Sequence, residues 1–134
     1  MWISRQLGRP VFKAWNAALA GTRWTKGVPA GTPGRIAIPV AADSDASRRV
    51  AMRLVDDTGF DPFDAGVLAD SWRRRPMGPA YCTELTLDEL GPPLAAADRA
   101  RGARIRDSMP ERFAALGDAP TREEVVEMNR AARR

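Results

Sequence analysis

The sequence predicts an α/β fold, and an incomplete one. Short β-prone runs alternate with turn signals through the first half of the chain. The clearest amphipathic helix lies between two of them, giving the order strand, loop, strand, helix, strand. Three strands leave an open sheet with at least one exposed edge, an awkward free-standing unit. A partner surface is therefore expected.

Residues 2–7 read as the end of a helix, stopped by Gly8, Arg9 and Pro10. Val11, Phe12, Lys13, Ala14 and Trp15 form the first β-prone run. Residues 21–34 hold four glycines and two prolines and read as an ordered loop. Residues 35–40 are strongly strand-like, but Pro39 cannot donate to a ladder and so predicts an edge strand or a strand end. Asp43 or Ser44 can cap the helix that follows, on which Val50, Ala51, Leu54 and Val55 form one apolar stripe. Gly59 ends it as the residue past the cap, and residues 60–65 make the last strand, closed by Gly66.

Beyond Tyr81 the character changes. Leu85, Leu87 and Leu90 precede Gly91, Pro92 and Pro93, and an Ala- and Arg-rich helix is expected over residues 94–109. Thr121 and Glu124 are spaced as the capping box of a final helix, with Val125, Met128, Asn129 and Ala132 as its packing face. The expected division is residues 1–84 for the sheet and residues 85–134 for a helical extension.

Composition excludes more than it assigns. The 134 residues contain no histidine and one cysteine, Cys82, so a His-based triad, a His or Cys metal cluster and a disulfide framework are all ruled out. No catalytic or metal-ligating set is assigned. Cys82 reads as a small buried or half-buried thiol rather than a nucleophile. No apolar run approaches a membrane span, and the first residues lack the apolar core of a signal peptide, so a cytoplasmic location is expected.

The net charge is +4 and the pI about 10.2. The basic residues are almost all arginine beside abundant alanine, a combination that a GC-rich genome produces whatever the function. Nucleic-acid binding therefore stands third among the readings. No acidic residue precedes Asp43, while Arg5, Arg9, Lys13, Arg23, Lys26 and Arg35 do. That segment is either a solvated face or a surface beside phosphates or an acidic partner. Arg73, Arg74 and Arg75 read as a solvated turn, with substrate-anion binding as the alternative.

A dinucleotide fold needs a glycine-rich turn between its first strand and helix. No such turn occurs: Gly27, Gly31 and Gly34 precede a strand and are interrupted by Pro29 and Pro33. Other segments do carry a likeness. Residues 7–16 (LGRPVFKAWN) resemble the "LGRPVVKAFN" strand of the coenzyme F-420-dependent NADP oxidoreductases. Residues 36–43 are similar to that family's "IALPVAGDD" passage, with Ala42 where glycine is usual, and residues 50–66, ending in GFDPFDAG, to its "GFDPVDAGPL" element. Ser71, Trp72 and Arg73, then Pro79 to Cys82, also fit bacterial members.

The resemblance implies a partial Rossmann-like, NAD(P)-binding sheet, second half only, with the nucleotide-binding unit absent. Met1 would fall where the family enters the helix before its fifth strand. The implied reaction is hydride transfer between NADPH and a deazaflavin, with NADP and coenzyme F-420 as cofactors, and with independent activity in doubt. The implied partner is a second copy or a separate cofactor-binding half. An alternative role is that of a non-catalytic remnant or interaction subunit.

Five residues are candidates for contact with those cofactors. Asn16 follows a strand, where its amide could bond a carboxamide or serve as a turn asparagine. Ala20, with Ala17 to Leu19, could admit a flat ring, though plain helix propensity is the simpler account. Gly66 and Leu68 follow another strand end and could wall the deazaflavin side. Tyr81 could donate from its hydroxyl, or simply pack. Trp15 is expected in the core, and Trp2 and Trp24 are expected to be exposed and to favour association.

Overall fold

The run Ala37-Ile38-Pro39-Val40-Ala41-Ala42 has no polar side to offer water, so a strand built from it must be covered on both faces. The computed structural model, which describes residues 2–132, places it so. Met1 and the last two residues, with the expectations attached to them, lie outside the described range. Strand β2 (Ala37–Ala42) is buried at every position and is the middle of a three-stranded mixed sheet. β1 (Phe12–Lys13) pairs antiparallel to it, Phe12 opposite Ala42 and Lys13 opposite Ala41. β3 (Asp61–Asp64) pairs parallel, from Ala37 opposite Asp61 to Val40 opposite Asp64.

Pro39 therefore sits inside the central strand rather than at an edge, which corrects the sequence expectation. Alternation explains how. Ala65 donates to the carbonyl of Val40 and Ala42 donates to Gly66 (2.7 and 3.0 Å), so even-numbered residues of β2 bond towards β3. Ala37 donates the other way, to Leu85 (2.8 Å). The nitrogen of Pro39 shares that side, between Leu85 and the two residues of β1, where no ladder bond is required of it.

Helix α1 (Trp2–Leu7) precedes the sheet and α2 (Ala20–Thr25) occupies the first part of the expected loop. Glycine punctuation did not prevent the second, because Thr22 is fully buried and anchors it to Glu84. The first strand is shorter than its β-prone run because Trp15 takes a left-handed backbone (φ 55°) and turns the chain.

Helix α3 (Asp45–Asp57) links the parallel strands. Ser44 caps it, accepting from the Ser47 amide at 3.2 Å, and Gly59 follows its end at φ 88°. Of its apolar stripe, Ala51 and Val55 are fully buried while Val50 and Leu54 are 56% and 42% exposed. Ile38, Val40, Ala51, Val55 and Phe60 form one core cluster between sheet and α3. Ala37, Ala80, Leu85, Leu90 and Leu94 form a second, with Phe63 against it. Adjacent residues of β2 thus serve opposite faces.

A 3-10 helix (Leu68–Arg74) crosses beside β1, and three helices follow: α4 (Leu87–Ala95), α5 (Arg99–Leu116) and α6 (Arg122–Ala131). The single expected helix over 94–109 is two, broken at Asp98, the cap of α5. Pro92 and Pro93 lie inside α4, held there by the burial of Leu90 and Leu94 on one face. Thr121 and Glu124 form the expected capping box of α6, and Met128 is buried as expected, but the other buried residue is Val126, while Val125, Asn129 and Ala132 are half-buried. No helix among the described residues is long and apolar enough to cross a membrane.

Candidate functional site

Because β1 runs against β2 and β3, its carboxyl end lies beside their amino ends. An open cleft of about 730 Å³ occupies that corner, lined among others by Trp15, Asn16, Arg23, Trp24, Phe60 and Tyr81. The turn at Trp15 sets Asn16 there, with the Asn16 amide donating to the Ala14 carbonyl at 2.7 Å. The Asn16 side chain donates through Nδ2 to the carbonyl of Arg74 at 2.9 Å. Its Oδ1 is shut off from solvent and has no hydrogen-bond partner. A buried acceptor without a donor is costly, so the Asn16 side-chain amide is under-satisfied in this arrangement.

Tyr81 closes another side. Burial, reinforced by the neighbouring Cys82, raises its hydroxyl above the ordinary phenol range. Cys82 is 3% exposed, and burial pushes its thiol up to about 11, so it is a protonated packing group. Its amide donates to the Ala17 carbonyl at 2.8 Å, which fastens this segment beneath residues 16–18. Trp15 packs against the core, whereas Trp24 is 87% exposed on the cleft rim and Trp2 is 70% exposed on α1.

The five cofactor candidates separate. Asn16 and Tyr81 share the cleft. Ala20 is the exposed first residue of α2 and does not line it, although Arg23 and Trp24 of the same helix do. Gly66 and Leu68 lie at the opposite end of the sheet, past β3: the Gly66 carbonyl accepts from Ala42, and the Leu68 amide donates to Asp43 Oδ1 at 2.9 Å. The antiparallel setting of β1 is what parts them, since the carboxyl ends of β1 and β3 point in opposite directions.

The chain is 38% identical over 104 residues to the protein YjhV of Escherichia coli (strain K12), a match spanning 78% of this chain and 76% of YjhV. It belongs to the YjhV family. No family model matches the chain, and no solved structure matches it.

In this member of the YjhV family the residue that sequence reasoning missed is Arg74. The three arginines do not form a solvated turn: Arg74 is 1% exposed. The 3-10 helix explains this, because its period of three places Leu68, Ser71 and Arg74 on one buried side. That spacing is visible in the sequence, but only once the 3-10 geometry is known. Burial lowers the Arg74 guanidinium to about 10. Lys13, half-buried beside it, is also lowered, first by burial and then by the Arg74 charge.

Arg35 shows the opposite solution to burial. It is 5% exposed, and its guanidinium donates to Asp56 and Asp61 (2.7 and 2.8 Å) and to the carbonyls of Val28 and Asp56. These bonds raise it above the ordinary guanidinium value despite desolvation, the largest single influence on it. Arg35 therefore joins the loop before β2 to the end of α3 and the start of β3, a structural task.

Proposed function

We propose that this chain forms one side of the ring-binding cleft of a Rossmann-like NADP-dependent oxidoreductase that transfers hydride between NADPH and a deazaflavin coenzyme. A glycine-rich nucleotide-binding unit, covalently joined or separate, supplies the other side. The observation that carries this reading is an open cleft walled by the flat side chains of Trp15, Phe60 and Tyr81, with Asn16 among its lining residues. The resemblance of residues 7–16 and 59–66 to that oxidoreductase family supports it independently.

The residues fit one end of the cofactor and not the other. At the ring end, Trp15 and Tyr81 offer planar walls, Asn16 lines the cleft beside them, and Ala18 leaves room for a flat ring. At the phosphate end, nothing in the sequence provides the glycine-rich turn that a pyrophosphate requires. When bound, the nicotinamide supplies the hydride. The task of this chain's residues is to orient its ring and to exclude water from it.

The test is to titrate NADPH into the chain alone, then into the chain mixed with a glycine-rich βαβ unit of a deazaflavin-dependent oxidoreductase. Binding and hydride transfer are expected only in the mixture, and Asn16→Ala should lower kcat/KM there by about tenfold. If the two parts associate and still bind no NADPH, the reading is wrong. A second reading, an interaction subunit without catalysis, rests on the exposed Trp2, Ile3 and Leu7 of α1, which buries none of its residues.

A further inference from the structure

A buried guanidinium must be matched, or its desolvation stands as a cost. Arg35 is matched by two carboxylates. Arg74, more deeply buried, is not. Its hydrogen bond runs from Nη2 to the Lys13 carbonyl at a long 3.3 Å, while Nε and Nη1 have no partner and no contact with solvent. Lys13 nearby has the same sign and worsens the imbalance, and Arg73 and Asp70 line the same cavity as Arg74 without a hydrogen bond to its guanidinium. Lys13 itself is held by a single donation to the Ser71 carbonyl at 3.4 Å. A buried and a half-buried cation thus lie side by side with no carboxylate hydrogen-bonded to either.

A cavity of about 140 Å³ adjoins this region on the face away from α3, lined by Phe63, Ala65, Asp70, Arg73, Arg74 and Leu94 with Gly91 and Ala95 at its margin. Its size admits about four or five water-sized groups. Its walls are mainly apolar, and Arg73 is anchored at the rim by donation to the Ala95 carbonyl at 3.3 Å. Apolar walls with a cationic end select an amphipathic anion over a fully hydrated one such as phosphate.

We propose that this cavity is a binding site for a small carboxylate with a short apolar tail, its carboxylate paired with Arg74 and its tail against Phe63 and Leu94. The site is distinct from the cleft and does not rest on the oxidoreductase reading. The Asn16 side chain bonds the Arg74 carbonyl, so occupancy also steadies one side of the cleft.

The experiment uses the full chain, with acetate, butyrate, hexanoate and inorganic phosphate at constant ionic strength, read by thermal shift and calorimetry. Butyrate is expected to raise the Tm saturably and to bind at least tenfold more tightly than phosphate. Arg74→Met should keep or raise the Tm without ligand, because no matched charge pair is lost, and should weaken butyrate binding at least tenfold. Asp70→Asn, which removes the carboxylate at the cavity margin, should retain or strengthen butyrate binding. No saturable response of the native chain to butyrate or hexanoate would overturn the proposal. So would a response retained in Arg74→Met, or a large fall in Tm for Asp70→Asn, which would make Asp70 the counter-charge.

Discussion

Arg35 holds two carboxylates at once, and that redundancy has a measurable signature. Asp56 and Asp61 are 49% and 27% exposed at the side chain, so either can be neutralised while the other still serves the buried guanidinium. Asp56→Asn and Asp61→Asn should each cost about 1 kcal/mol, and the double variant should exceed their sum by about 1–2 kcal/mol. Urea denaturation of the four proteins checks it; strict additivity would mean that Arg35 does not depend on both. Cys82 gives a pH-dependent counterpart. Its thiol ionises near 9 in an open chain but only about 11 when folded, so the folded form retains the proton longer. The resulting stabilisation is complete below pH 9 and is lost as pH rises through 11. Arg74, lowered to about 10, acts in the opposite sense over the upper part of that range. The stability difference between native chain and Cys82→Ala, which isolates the thiol, should therefore fall between pH 9 and 11. In native buffer at pH 8 the thiol should alkylate far more slowly than in urea.

Between elements, the tightest constraint is the contact of the loop before β2 with the end of α3. The Val28 amide donates to the Gly59 carbonyl at 2.9 Å, and a Cβ on Gly59 would lie 2.7 Å from the Gly27 Cα. Gly59 also needs its positive φ, so Gly59→Ala adds backbone strain to a clash and should cost at least about 2 kcal/mol. Gly31→Ala, at a positive φ but in open space, should cost about 1 kcal/mol. Chemical denaturation of both separates the two effects, and equal losses would mean that the loop simply moves aside. Gly59 as a helix stop was legible in the sequence because cap chemistry is local. So were Ser44 as a possible cap, the capping box at Thr121 and the approximate places of the three strands. The role of Gly27, the central position of Pro39 and the burial of Arg74 were not legible. Each depends on what another segment places opposite it: α3's end, the gap beside Leu85, and the 3-10 crossing. The candidate site divided for the same reason. Asn16 and Tyr81 come together across distant sequence, while strand direction, which no local pattern encodes, removes Gly66 and Leu68.

For the molecule as a whole, the sheet and helices satisfy most of the chain, but α1 buries nothing and a helix of six residues is marginal without a partner. Trp2, Ile3 and Leu7 on it are 70%, 46% and 56% exposed. Sedimentation at tens of micromolar should show species larger than the monomer, and the combined Trp2→Ser and Leu7→Ser change should shift the distribution towards monomer. A monomer at every concentration would leave α1 without a self-association role. Trp24, 87% exposed on the rim of the cleft, carries one further consequence. Its indole emits into bulk water, so whatever closes over the cleft must strip that water away. The emission should move to the blue and become resistant to iodide, while a Trp24→Phe chain loses the signal. The molecule contains its own optical reporter of what enters the cleft, positioned on its rim.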